Sequence, residues 1–214
     1  QEKVREVGAD LGLSFDGDAD RVILADERGE MVDGDHTMAI YGLYRARTGG
    51  LPTGTVVGTV MSNIGLELAL RKENLKLVRT AVGDRYVTDE MRRSGAIVGG
   101  EKSGHIILSR YTTTGDGMVT ALQIISIMLA TGKRLSELAG EMTEFPQLLK
   151  NVRVERRDGW DTNPAISASI KDAESRLGDT GRVVVRPSGT EKLIRVMIEG
   201  PDQSLVESLV NEIC

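Results

Sequence analysis

The sequence predicts an α/β protein in which mixed α/β domains are followed by a small α+β domain. Short apolar strands alternate with helical patterns through residues 1–145, as they do in layered α/β units. The composition then changes at Phe145 and Pro146. Beyond that point an alternating strand, a helix, two apolar strands and a closing helix predict the smaller α+β domain.

Each element follows from its own apolar pattern and from the turn residues that bound it. Apolar or alternating runs predict strands at 11–15, 21–26, 55–60, 75–80, 96–100, 105–109, 151–157, 182–186 and 192–200. Apolar residues spaced by three and four predict helices at 35–47, 63–71, 84–94, 116–130, 135–142, 164–177 and 201–213.

The composition argues against several classes of function. Aromatic residues make up only 3% of the chain and the net charge is −5, so a nucleic-acid scaffold is not expected. The one cysteine, Cys214, excludes an internal disulfide and fits a reducing compartment such as the cytoplasm. The longest apolar stretch, at 121–130, is interrupted by polar residues and is too short to span a membrane.

Three aspartates lie in the segment FDGDADR, the acidic loop (residues 15–21), directly after the first predicted strand. Asp16, Asp18 and Asp20 alternate with small residues, which let the backbone curl so that the carboxylates converge. Clustered carboxylates repel one another unless a cation sits between them, and hard oxygen ligands suit Mg²⁺ or Ca²⁺. Arg21 is expected to contact a phosphate there.

Two alternatives stay open for the acidic loop. It could be a solvated acidic turn, or an EF-hand with Asp16 at position one and Glu27 at position twelve. An EF-hand needs glycine at position six, where this chain has Arg21, and a helix where the chain has a strand pattern. The EF-hand requires Glu27 as a bidentate ligand. A cation site beside a phosphate, by contrast, leaves Glu27 in solvent.

A second candidate is GGEKSGH, the glycine loop (residues 99–105). Glu101 and Ser103 are two residues apart, so they point the same way from an extended loop, and a carboxylate and a hydroxyl suit sugar hydroxyls. His105 could transfer a proton, because histidine is the side chain most often used for that purpose in proteins. The alternative is an ordinary β-turn that carries a surface histidine.

The third candidate is RPSGTEK, the hairpin loop (residues 186–192), which joins two apolar strands. Ser188, Gly189 and Thr190 offer hydroxyls and consecutive N–H groups, which form an anion-binding nest. Arg186 can bind a phosphate through two parallel hydrogen bonds. The alternative is a simple turn.

The remaining nucleophiles and titratable residues give no further motif. The sequence has neither G-x-S-x-G nor H-E-x-x-H, and Cys214 has no obvious base beside it. His36 lies at the start of a predicted helix and is expected on the surface.

Taken together and in this order, the three loops resemble the α-D-phosphohexomutase superfamily. That superfamily carries a metal loop D-G-D-x-D-R, a sugar loop G-E-x-S-G-H and a phosphate loop R-x-S-G-T-E. This chain has DGDADR, GEKSGH and RPSGTE. Further stretches are similar to bacterial members that convert glucosamine 6-phosphate to glucosamine 1-phosphate, at 58–70, 81–87, 112–118 and 145–154. Two spacer positions depart from the usual residues, Ala19 and Lys102.

The resemblance implies a role for each loop in moving a phosphoryl group between a phosphoserine and a hexosamine phosphate. The three carboxylates of the acidic loop would hold Mg²⁺, and Arg21 would contact the phosphoryl group. Glu101 and Ser103 would bind sugar hydroxyls, and His105 would be the candidate for proton transfer. The hairpin loop would bind the phosphate group of the substrate that does not react. The cleft near the sugar would be lined by Gly83, Asp84 and Arg85.

The resemblance also implies that part of the protein lies outside this sequence. The superfamily has four domains, and its phosphoserine motif T-x-S-H has no counterpart here, because no Ser-His pair occurs. Residues 1–30 would end the second domain, 31–145 would form the third and 146–214 the fourth. The missing amino-terminal domain would be a partner of this chain, which is expected to be inactive alone. Exposed strand edges could also pair with a second copy as a homodimer.

Two other functions stay open at this point. One is a sister mutase that acts on mannose or glucose phosphates. The other is a non-catalytic module that binds a metal or a sugar phosphate without turning it over. In each case the expected ligand is a small molecule, and neither a nucleic acid nor a membrane is an expected partner.

Overall fold

Two compact units make up the chain, unit 1 at Gln1–Thr143 and unit 2 at Glu144–Cys214. The computed structural model describes residues 1–155, 158–189 and 191–214. Within those ranges none of the helices combines the length and the apolar character that crossing a bilayer requires. The further division of unit 1 near residue 30 stays a prediction.

Unit 1 alternates strands and helices. Its strands are β1 (Leu11–Phe15), β2 (Val22–Asp26), β3 (Met31–Val32), β4 (Thr55–Thr59), β5 (Lys76–Thr80), β6 (Val98–Gly100) and β7 (Ile106–Leu108). Its helices are α1 (Glu2–Val7), α2 (Gly34–Arg47), α3 (Ile64–Lys72), α4 (Asp84–Ser94), α5 (Gly117–Thr131) and α6 (Leu135–Ala139).

Two sheets organise unit 1. One is an antiparallel sheet in the order β1-β2-β3, and the acidic loop is the connection between its first two strands. The other has the order β5-β4-β6-β7, with β4 parallel to both neighbours and β6 antiparallel to β7. The glycine loop is the turn between β6 and β7, so each predicted loop begins at the end of a buried or half-buried strand.

Helix α2 lies in the core of unit 1. Residues 34–43, ten of its fourteen, are buried, and Tyr41 and Met38 are among the largest fully buried side chains. The helix begins where it does because the carboxylate of Asp33 accepts a hydrogen bond from the backbone N–H of His36. Asp116 caps α5 in the same way, through the N–H of Val119.

Unit 2 is an antiparallel sheet covered by helices. Its strands are β8 (Gln147–Arg153), β9 (Arg182–Pro187) and β10 (Leu193–Glu199), in the order β8-β10-β9. Its helices are α7 (Pro164–Leu177), a short 3₁₀ turn (Gly178–Thr180) and α8 (Gln203–Ile213). Ile194, Val196 and Ile198 alternate along β10 and pack against apolar residues of α7 and α8. The predicted fold class, α/β followed by a small α+β domain, is confirmed.

Four elements differ from the prediction. Helix α6 ends at Ala139 rather than at residue 142. Helix α1 is not predicted because only Val4 of its six residues is buried, which leaves no apolar stripe to detect. Strand β3 is not predicted, because its two residues are too few to show an alternating pattern. Strand β8 begins at Gln147 rather than at 151, because Leu148 is half-buried and Leu149 is exposed, so two adjacent leucines hide the alternation. The predicted end of that strand, at 156–157, lies outside the described residues.

Candidate active site

The carboxylates of the acidic loop converge. Asp16, Asp18 and Asp20 each offer one oxygen atom, and these atoms all lie within 4.8 Å of one another. The backbone curls as expected, since Asp16 accepts hydrogen bonds from the backbone N–H groups of Ala19 and Arg21. Ala19 has a left-handed φ of 59°, a conformation that costs an L-residue about 1 kcal/mol.

The acidic loop fits a hard divalent cation. One oxygen of Asp20 is buried and has no hydrogen-bond partner among the described residues. The guanidinium of Arg21 is half-exposed, and its Nε lies 3.7 Å from Asp16 Oδ2 and 3.6 Å from Asp20 Oδ1. One guanidinium balances one of three negative charges, so the loop keeps an excess of carboxylate that a divalent ion would offset.

The EF-hand interpretation is wrong. The acidic loop joins two antiparallel strands rather than two helices. Glu27 accepts hydrogen bonds from the backbone N–H and the hydroxyl of Ser136. The expectation that Glu27 lies in solvent is also wrong, because its side chain is only 16% exposed. Burial alone would raise the pKa of Glu27, but the hydrogen bonds from Ser136 outweigh it and lower the pKa.

The glycine loop is a tight turn that holds the carboxylate of Glu101 in place. The N–H of Glu101 donates to the carbonyl of His105, and the N–H of Gly104 donates back to the carbonyl of Glu101. Glu101 Oε1 accepts a hydrogen bond of 2.9 Å from the backbone N–H of Gly83, which precedes α4. The structure thus brings Gly83 to the glycine loop, although the two lie eighteen residues apart in the chain.

The other predicted cleft residues are exposed. Ser103, Asp84 and Arg85 are all exposed. The Asp84 carboxylate accepts from the N–H of Arg85, and Arg85 lies 3.8 Å from Asp89, one turn along α4. These side chains are therefore accessible to a ligand.

The glycine loop contacts Val22, the first residue of β2 and the one that follows the acidic loop. The N–H of Val22 donates to the carbonyl of Gly104, and a Cβ on Gly104 would lie 2.3 Å from the carbonyl oxygen of Val22. On the other side, the N–H of Gly117 donates to the carbonyl of Ala19. Because these contacts are between backbones, they hold the two loops and the start of α5 in fixed positions relative to one another.

His105 is buried at this junction. It is 4% exposed, and its Nδ1 lies 3.1 Å from Asp20 Oδ2. Its ring packs against the backbone of Gly115, where a Cβ would lie 2.4 Å from the ring. The alternative of a surface histidine is therefore wrong, and the imidazole orients one of the three carboxylates. Its Nε2 is buried and has no hydrogen-bond partner within the described ranges.

The hairpin loop connects β9 and β10 in unit 2. Ser188 is buried, its N–H donates to the carbonyl of Leu193, and its hydroxyl accepts from the N–H of Glu191. Among the described residues, no atom lies within 4 Å of the position that a Cβ on Gly189 would take. Thr190 lies outside the described residues.

The sequence analysis missed Arg195 as a partner of Arg186. The two arginines are directly opposite each other on neighbouring strands. Partial burial, and then the charge of Arg195, lower the pKa of Arg186. Arg195 Nε is buried and has no hydrogen-bond partner in the part of the chain that is described. A pair of adjacent guanidinium groups is chemically suited to binding an anion. The available signal was an arginine inside the otherwise apolar run of β10.

His36 was expected on the surface and is buried instead. It is 9% exposed, and its Nδ1 lies 2.7 Å from Asp33 Oδ1. Asp35 is fully buried beside it, with Oδ2 accepting from the N–H of Asn63. Sequence reasoning failed here because α2 is buried along most of its length, so its polar first turn does not mark a surface.

Comparison with known proteins gives consistent matches along the chain. A family model described as phosphoglucomutase/phosphomannomutase, alpha/beta/alpha domain III, matches residues 33–145. The model of the C-terminal domain of the same family matches residues 149–214.

Two curated relatives, each described as a phosphoglucosamine mutase, resemble the whole chain. The relative from Moorella thermoacetica is 54% identical over 210 residues, and the one from Syntrophotalea carbinolica is 55% identical over 210 residues. Each alignment covers 98% of this chain but only 47% and 46% of the relatives. The chain therefore spans about half the length of the curated relatives it matches.

A solved structure matches the fold. It is described as Aspergillus fumigatus N-acetylphosphoglucosamine mutase in complex with GlcNAc-6P and magnesium. The TM-score is 0.77 at 23% identity, over 94% of this chain and 50% of that one. At this identity the likeness concerns the fold alone.

Proposed function

The chain belongs to the phosphoglucomutase/phosphomannomutase family, and we propose that the full-length protein interconverts glucosamine 6-phosphate and glucosamine 1-phosphate. The observation that carries this proposal is the junction of the acidic loop with the glycine loop. There His105 of one loop contacts Asp20 of the other, and the backbones of Gly104 and Val22 are hydrogen-bonded. The relatives described as phosphoglucosamine mutases support the choice of sugar.

The acidic loop is the proposed Mg²⁺ site. Asp16, Asp18 and Asp20 would supply the protein ligands, which are the hard oxygens that this ion prefers. When bound, Mg²⁺ would neutralise charge on the phosphoryl oxygens during transfer. Arg21 is half-exposed at the edge of the loop, where its guanidinium could donate to the same oxygens.

The glycine loop is the proposed site for the sugar. In the proposed reaction a phosphoserine outside this chain transfers its phosphoryl group to the free hydroxyl of the sugar phosphate. The phosphorus–oxygen bond to serine breaks, a phosphorus–oxygen bond to the sugar forms, and the sugar hydroxyl loses a proton, which gives a sugar bisphosphate. The bisphosphate then reorients, its other phosphoryl group returns to the serine, and the oxygen left on the sugar takes up the proton. Glu101 and Ser103 would hold the sugar hydroxyls in either orientation, with Asp84 and Arg85 at the cleft wall. His105 is the candidate for the proton, and its Nδ1 lies 3.1 Å from Asp20 Oδ2.

The hairpin loop is the proposed site for the phosphate that does not react. Arg186 and Arg195 would bind its oxygens, together with the backbone near Ser188 and Gly189. Thr190 belongs to the same proposed nest on sequence grounds. Binding the remote phosphate restricts the orientation of the sugar, which lowers the entropic part of the barrier.

A second candidate is a mutase for glucose or mannose phosphates, because the matching family models are described by those two activities. The chain on its own would bind ligand without turnover in either case, since the proposed phosphoryl donor lies outside it. Both candidates use the same loops, so only the sugar preference separates them.

The test is turnover of glucosamine 6-phosphate, glucose 6-phosphate and mannose 6-phosphate by the full-length protein with Mg²⁺, followed by ³¹P NMR. We expect kcat/KM to be highest for the amino sugar. A higher kcat/KM for glucose or mannose phosphate would replace the first candidate with the second. No turnover of any of the three sugars by a folded protein would refute both.

A further inference from the structure

The first turn of α2 lies directly against the glycine loop. The N–H of Gly34 donates to the carbonyl of Lys102 at 3.0 Å. A Cβ on Gly34 would lie 2.0 Å from the carbonyl oxygen of Glu101 and 2.9 Å from the nitrogen of Gly104. Real Cβ atoms do not approach other atoms so closely, so only glycine allows this contact. The start of α2 therefore fixes the backbone of the loop from the side of the core.

A charged contact adds to this backbone contact. Asp33 Oδ2 lies 3.6 Å from the ammonium nitrogen of Lys102. The aspartate side chain is 5% exposed and that of the lysine is 31% exposed, so water screens this pair only in part. Lys102 stands between Glu101 and Ser103, the two residues proposed to hold the sugar.

The carboxylate of Asp33 is itself held in a single position. Its Oδ1 accepts from the N–H of His36 and lies 2.7 Å from the Nδ1 of the same residue. Burial alone would raise the pKa of Asp33, but the hydrogen bonds from His36 and the charge of Lys102 outweigh it and lower the pKa. Asp33 thus keeps its negative charge at neutral pH, which the contact with Lys102 requires.

We propose that Asp33 is a positioning residue for sugar recognition, acting through Lys102 and the turn it caps to fix Glu101 and Ser103. The role in sugar recognition rests on the function proposed above. The rigidity of the glycine loop depends only on its contacts with Gly34 and Asp33.

Asp33→Asn separates the charge from the helix cap. Asparagine caps helices as well as aspartate does, so α2 should keep its start, while the attraction to Lys102 is lost. Lys102→Gln removes the same attraction from the other side. Asp202→Asn is the matched control, because Asp202 caps α8 in unit 2 through the N–H of Leu205 and makes the same kind of helix cap outside unit 1.

The first measurement is amide hydrogen exchange of this chain. In Asp33→Asn we expect exchange at residues 101–105 to quicken by about tenfold, with exchange in the core of α2 unchanged. Lys102→Gln should give at least the same increase, because Lys102 also acts on Asp35, and Asp33→Asn combined with Lys102→Gln should give less than the sum of the two single changes. Asp202→Asn should leave residues 101–105 as in the wild type. Unchanged exchange at 101–105 in Asp33→Asn would overturn the proposal.

The second measurement is turnover of glucosamine 6-phosphate by the full-length protein. Asp33→Asn should raise KM by about tenfold and change kcat by less than about threefold, because a loosened loop loses binding shared by ground and transition states. A fall in kcat of about tenfold with KM unchanged would contradict the positioning role. A wild-type protein without turnover, combined with the expected exchange result, would refute the proposed function but not the contact between Asp33 and the loop.

Discussion

The two units hold their candidate loops in different ways. In unit 1, an added Cβ on Gly104 would lie 2.3 Å from Val22, and one on Gly115 would lie 2.4 Å from His105. In unit 2, an added Cβ on Gly189 would meet no atom of the described residues within 4 Å. The difference matches the proposed tasks. Groups beside a reacting phosphoryl must be placed within a fraction of an ångström, whereas a remote phosphate can be bound by a more open loop.

The largest expected effect comes from removing a carboxylate of the acidic loop. Asp18→Asn should lower kcat/KM of the full-length protein by at least about 100-fold, because the site loses a charged ligand for Mg²⁺. The check is turnover of glucosamine 6-phosphate across a titration of Mg²⁺. Asp10→Asn is the control, since Asp10 is exposed and lies outside the acidic loop. Wild-type turnover by Asp18→Asn would remove the metal assignment.

Gly104→Ala and Gly189→Ala test the comparison of the units most directly. At Gly104 the φ of 92° and the close carbonyl of Val22 leave no room for a methyl group, so the two loops must move apart. We expect kcat/KM to fall by about 100-fold. At Gly189 the methyl group has space, so the change should be less than about threefold. Equal losses at the two positions would contradict the comparison.

Arg186→Ala should mainly weaken binding. The arginine is proposed to hold the phosphate that does not react, and that contact is the same in the ground state and the transition state. We expect KM for glucosamine 6-phosphate to rise by about tenfold with a smaller change in kcat. Arg176→Ala is the control on the same unit, because Arg176 pairs with Glu212 on the helical side. An unchanged KM would argue against the phosphate site.

The last expected effect is on stability rather than on turnover, and it is a pH dependence that originates at Asp35. Burial, followed by the nearby charge of Asp33, raises the pKa of Asp35 to about 7, although the N–H of Asn63 and the charge of Lys102 act the other way. Between about pH 4 and pH 7, the folded state therefore holds a proton on Asp35 that the unfolded state has released. The contribution of this group is therefore greatest below about pH 4 and is lost as the pH rises toward 7, by at most about 4 kcal/mol.

Asp35→Asn removes this dependence. Relative to the wild type, its free energy of unfolding should increase steadily between pH 4 and pH 8, as measured by urea unfolding. Asp202→Asn, the same change at an exposed cap, should show a constant difference across that range. A constant difference in Asp35→Asn as well would mean that the buried carboxyl titrates normally.

The sequence predicted the order of elements and the three loops because each depends on local patterns. Apolar runs gave the strands, and the alternation of aspartates with small residues in the acidic loop predicted the convergence that is found. The resemblance to the phosphohexomutases is confirmed. Both successes rest on residues that are close together in the chain.

The contacts that assemble the site could not be predicted in the same way. Glu101 meets Gly83 and His105 meets Asp20 only through the packing of separate elements, and no local pattern encodes those distances. His36 was misplaced for a related reason, since a polar residue on a fully buried helix turn looks like a surface residue. Arg195 was missed because its role depends on the strand register that sets it opposite Arg186.

The most direct test of the central claim is a calorimetric titration of this chain with glucosamine 6-phosphate in the presence of Mg²⁺. Glucose 6-phosphate and mannose 6-phosphate serve as comparisons, and Arg186→Ala serves as the variant. We expect saturable binding that favours the amino sugar and weakens in Arg186→Ala. A chain with a folded spectrum that binds none of the three sugars, or binds all three equally, would contradict it.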